Sequence, residues 1–153
     1  MALAATAAIP VLAGEDAGAT LYQRCAACHL ADGAGVPGVY PPLAGRLGPL
    51  ASTEVGRRYL ITVVAHGLAG TIEVQGQTYR NVMPAQGAAL DAGGIAAVLN
   101  HVLATLNATS LPADWQRFTT EEVKQTLARH PKADGRTALH MRAAVFAARG
   151  DGQ

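Results

Sequence analysis

The chain of 153 residues contains two cysteines, and they stand two positions apart with a histidine directly behind them, as Cys25-Ala26-Ala27-Cys28-His29. This is the pattern of covalent c-type haem attachment. On a helical turn that spacing brings both thiols to one side, where each can add to one vinyl group of the same porphyrin as a thioether. His29 then falls beneath the iron as its proximal ligand. Three other readings compete for these residues. A thioredoxin-like redox pair needs a βαβ setting, of which the sequence carries no sign. A zinc site needs two further ligands at matching spacing, and a plain Cys25–Cys28 disulfide is the least demanding alternative.

Composition favours a large flat cofactor. Half of the residues are apolar, enough for one domain with a sizeable core and a short appendage. Aromatic residues make up only 5%, so an all-protein core is short of bulky groups. The formal charge of +1 leaves no basic face for nucleic acid or anionic lipid, and partners are expected to be recognised locally. The opening run from Ala2 to Ala13 is apolar but falls short of the roughly 20 residues of a membrane span, so no transmembrane segment is expected there. Val11-x-Ala13 before Gly14 reads as the end of a secretory signal, which makes residues 1–13 a signal-peptide remnant or tail and the protein an exported, periplasmic one.

The rest reads as helices joined by loops. Asp16 is expected to cap a first helix running to about Ala27. Between Ala31 and Leu50 lie five glycines and four prolines, an ordered loop that a cofactor would support. Val55, Tyr59, Val63 and Leu60, Val64 give helical periodicity from Thr53 to His66, with Gly67 as the residue past the end. Loose alternation around Gly76 suggests a small hairpin or extended loop leading to Met83. Asp91 caps a helix to about Leu106 whose apolar stripe faces the core. After Asn107 comes a linker with exposed-looking Trp115 and Phe118, which either dock the following segment on its own domain or offer a partner interface. Thr119-x-x-Glu122 then opens a helix as a capping box, and 136–149 adds a last one.

Taken in order, Gly18-x-x-x-Tyr22, Cys25-x-x-Cys28-His29, Tyr40-Pro41-Pro42-Leu43-Ala44-Gly45, His66-Gly67-Leu68-Ala69-Gly70 and Tyr79-x-x-x-Met83-Pro84-Ala85 resemble the bacterial class I c-type cytochromes. The resemblance implies an all-α class I cytochrome c fold, three to four core helices wrapped round one haem. Its haem domain would span 14–107, followed by a helical C-terminal extension over 108–153. It implies one covalently bound haem c, with iron held by His29 and Met83. Met83 is the one methionine inside that domain away from its N-terminus, and thioether opposite imidazole is the ligand set of electron-carrying cytochromes. His66 is the competing ligand, giving a bis-His haem, but a histidine in a last helical turn reads better as a carbonyl cap. His101, His130 and His140 read as structural.

Pro42 matches the family's proline whose carbonyl accepts a hydrogen bond from the ligating histidine. Arg46 and Tyr79 are candidates for the haem propionates. In this family an aromatic of the last helix packs where Gly18 and Tyr22 wait; here the counterpart position is His101, so either His101 stacks on Tyr22 or Leu99 and Val102 maintain the helix crossing. The implied function is electron transfer among dehydrogenases, reductases or terminal oxidases, with no catalytic residue. The alternatives are an electron-accepting cytochrome subunit of a dehydrogenase complex and a gas-binding or bis-His protein.

Overall fold

The computed structural model describes residues 12–149. Along them run α1 (Leu12–His29), α2 (Gly48–Ala51), α3 (Glu54–His66), β1 (Ile72–Val74), β2 (Gln77–Tyr79), α4 (Ala92–Leu106), α5 (Thr120–Arg129) and α6 (Gly135–Arg149). The expected signal remnant lies outside the described residues except for 12 and 13, which open α1. Residue 16 is inside that helix and does not cap it, because the chain before it is already helical.

The other caps form from adjacent side chains. Thr53 Oγ1 accepts from the Gly56 N–H at 3.1 Å and starts α3. Asp91 Oδ1 accepts from Gly94 at 2.7 Å and starts α4. Gly67, at φ 75°, turns the chain off α3 while its N–H returns to the Val63 carbonyl. The hairpin pairs Ile72 with Tyr79 and Val74 with Gln77, and its buried Ile72, Val74 and Tyr79 pack with Ala138 of α6.

The crossing of α1 and α4 fixes the haem motif on the core. A Cβ at Gly18 would lie 2.5 Å from the Ala97 carbonyl oxygen and 2.9 Å from His101 Cβ, so only glycine permits this approach. Next to it the Tyr22 and His101 rings meet at 5.4 Å between centroids, tilted by 45°; His101 thus takes the aromatic's place. The Tyr22 hydroxyl donates to the Leu30 carbonyl at 2.8 Å, just past the end of α1, where Leu30 adopts φ 65°. Burial pushes the Tyr22 hydroxyl up to about 12, so it stays a donor. Tyr22→Phe is expected to cost about 1 kcal/mol in denaturant unfolding, the value of one such bond, with the ring packing kept.

The segment after α4 folds back onto the same core. α5 packs on α3 and α4, and α6 on α3. Phe118 is 3% exposed, with its N–H and carbonyl both tied to the Asn100 side chain, at 2.8 and 3.0 Å. The Arg57 guanidinium lies 3.9 Å from its ring centroid. Trp115 is half-buried against the main core. Of the two alternatives for these aromatics, the structure shows the one in which they dock the extension on its own domain. Thr119 caps α5 through the Glu122 N–H at 3.1 Å, but Glu122 does not complete the box. Its carboxylate instead takes Arg57 in two bonds of 2.6 and 2.7 Å, a charge-assisted fork that outweighs a local backbone bond.

Candidate functional site

Two adjoining cavities open at the C-terminal end of α1, enclosing about 670 and 800 Å³ of space that is partly open to solvent. Cys25, His29, Pro41, Leu68, Ile72 and Met83 line both, which makes them two halves of one slot. Cys28 and Tyr79 line the first half alone; Arg46, Tyr59 and Arg142 line the second alone.

α1 delivers three of the functional side chains because they sit in its last turn and a half. Both thiols are free and half-buried, and burial pushes Cys25 up. His29 is 8% exposed. Its Nδ1 lies 2.8 Å from the Pro41 carbonyl, to which it donates as the neutral tautomer that leaves Nε2 for a metal. Burial lowers the affinity of His29 for a second proton, with the Pro41 carbonyl opposing, so the ring is kept in its ligating form.

The carbonyl at His29 is therefore that of Pro41, not of Pro42. The loop explains the difference. Val36 and Tyr40 pair across a tight turn at 2.8 Å, and Gly35 donates to the His29 carbonyl at 3.0 Å. Gly35, at φ 67°, packs so closely that a Cβ would touch the Tyr40 carbonyl oxygen and come within 2.7 Å of the Pro41 carbonyl carbon. This packing aims the Pro41 oxygen at the ring, while the Pro42 carbonyl accepts from Arg46 at 3.3 Å.

Met83 reaches the slot from the opposite part of the chain. Its N–H and carbonyl both pair with Leu68, each bond 3.0 Å, in an isolated antiparallel bridge directly after Gly67. His66, one residue before that glycine, lines neither half of the slot, and its buried Nε2 has no hydrogen-bond partner, so that nitrogen caps no carbonyl. His130 and His140 are exposed. Tyr79 is 5% exposed and Arg46 half-buried, but they border different halves, so the structure does not bring these two together. The sequence reading missed Tyr59 as a site residue, having used it only as part of the apolar periodicity of α3, and Arg142, which carries no local signal.

Two thiols, an imidazole with Nε2 available and a thioether around an apolar slot suit an iron porphyrin tethered through its vinyl groups. The family model for cytochrome c matches residues 15–106. Cytochrome c-552 of Thermus thermophilus is 44% identical over 112 residues, which is 73% of this chain and 85% of that protein. The cytochrome c subunit of a quinone alcohol dehydrogenase from Gluconacetobacter polyoxogenes is 38% identical over 98 residues, covering 63% of this chain but 19% of the subunit. With the attachment motif on the slot's wall and the family match spanning more than half its length, the chain belongs to the cytochrome c family, electron carriers rather than enzymes, whose iron is held in covalently bound haem c.

Proposed function

We propose that this cytochrome is an exported, periplasmic carrier of single electrons whose haem iron is held by His29 and Met83. The observation that carries the reading is that both side chains line both halves of one slot. With two side chains on the iron, no position is left for a substrate or gas. Bound haem c supplies a one-electron iron couple. The chain's own residues do the rest. The Pro41 carbonyl holds the His29 tautomer, Leu68 pins the Met83 backbone, and the apolar walls limit solvent reorganisation when the charge changes.

Electrons exchange where the slot reaches the surface beside Cys28, at a rim that includes Val39 and Val82, 38% and 67% exposed. A dehydrogenase, reductase or terminal oxidase is the partner class this rim serves. The diffusing carrier is favoured over a fixed dehydrogenase subunit because Phe118 and Trp115 are engaged with the chain's own core. Export is supported by the signal-like start at 1–13. The ferric protein is expected to show the weak near-infrared band of methionine-ligated haem, and Met83→Ala to abolish it. Persistence of the band in that variant overturns the ligand assignment, and co-elution of a stoichiometric dehydrogenase from native cells overturns the free carrier.

A further inference from the structure

Arg142 belongs to α6, well beyond the end of the family match at residue 106, yet it lines the second half of the slot beside Arg46 and Tyr59. It is 8% exposed. One guanidinium nitrogen donates to the Glu73 carbonyl at 2.7 Å, and the group lies 4.4 Å from the Phe146 ring centroid. Among the described residues no carboxylate forms an ion pair with it. A guanidinium carries five donors and a fixed charge, and burying that charge without an anion is strongly unfavourable. The slot's ligand has the missing anion. In haem c the two propionate carboxylates sit on the porphyrin edge opposite the vinyl-derived thioethers. The slot's lining fits this polarity, with both cysteines on the first half, Cys25 also bordering the second, and Arg46, Tyr59 and Arg142 on the second only.

We propose that Arg142 pairs with a haem propionate, with the Tyr59 hydroxyl as a neighbouring donor, so that the C-terminal extension forms a wall of the haem site and raises the iron's reduction potential. This rests on haem occupying the slot. Burial keeps Tyr59 protonated, although Arg142 and Arg46 oppose the shift. A cation held against the propionate offsets a negative charge that would otherwise favour ferric iron. Removing it shifts the balance toward the ferric state.

The test uses holoprotein carrying Arg142→Gln or Arg142→Lys, read by redox titration and by the resonance Raman bending mode of the propionates. Arg142→Gln is expected to lower the ferrous-to-ferric ratio at the wild-type midpoint by at least about threefold, a drop of about 30 mV at 59 mV per tenfold. Its propionate mode shifts. Arg142→Lys keeps the charge but not the fork, so the midpoint holds while the mode moves. An unchanged midpoint and mode in Arg142→Gln overturn the proposal, as does a lysine variant whose midpoint falls as far. If Arg142→Gln gives no holoprotein, an unmoved mode in Arg142→Lys overturns it. Failure of the haem reading would show earlier, as a wild-type haemochrome spectrum without two thioethers.

Discussion

Acidified organic solvent is expected to strip all haem from the Cys25→Ser/Cys28→Ser protein and none from the wild type. Thioether bonds survive denaturation, whereas bonds from iron to a histidine or methionine side chain do not once the slot opens. Each single serine variant keeps one thioether and resists extraction, with a shifted haemochrome band. Haem lost from wild type by the same treatment would reject covalent attachment. The stripped double variant is also expected to lose most of its helical circular dichroism. The slot's halves are lined mostly by apolar groups. An apolar void costs about 24 cal/mol per Å³, and a domain has only roughly 5–15 kcal/mol of stability in all, so leaving the slot without its ligand removes a substantial part of it. The haem is thus a structural element as well as the redox centre, and the tether keeps it at high effective concentration whenever the fold opens.

Where the sequence was legible, the deciding partners were close in the chain. Thr53, Asp91 and Thr119 each cap a helix through an N–H three residues on, so the signal and its partner are read together. The attachment motif is local in the same sense. Asp16 shows the limit of such signals, because a cap forms only where the chain before it is not helical. Pro41 and Pro42 were equivalent as letters. Their carbonyls differ through a turn closed between Val36 and Tyr40 and through the tight fit at Gly35. Glu122 and Arg142 were illegible for a stronger reason. Their partners lie 65 and 69 residues away, and neither periodicity nor capping rules encode a pairing at that separation. The same holds for Phe118, whose burial depends on Asn100 and Arg57.

Gly67→Ala is expected to destabilise the protein by about 3 kcal/mol and to weaken or abolish the near-infrared methionine band, whereas Gly76→Ala costs about 1 kcal/mol and leaves the band intact. The two glycines have nearly the same φ, 75° and 76°, so the strain of a left-handed residue is common to both. Their surroundings differ. A Cβ at 76 meets nothing within 4 Å. At 67 it runs into the Met83 carbonyl oxygen, the Ala85 nitrogen at 2.9 Å and the Pro84 carbonyl carbon at 3.0 Å. These are backbone atoms, which cannot swing aside as a side chain would. The ψ of −168° at Gly67 also puts it in a region that belongs almost entirely to glycine. Relief of the clash therefore requires the 83–85 segment to move off α3. That movement breaks the two 3.0 Å bonds between Leu68 and Met83 and takes the thioether with it. Denaturant unfolding and the ferric spectrum of the two variants separate the effects, because strain alone changes only the first. Equal costs with an intact band in Gly67→Ala would mean that the iron bond itself, not the Leu68–Met83 bridge, holds the methionine in place.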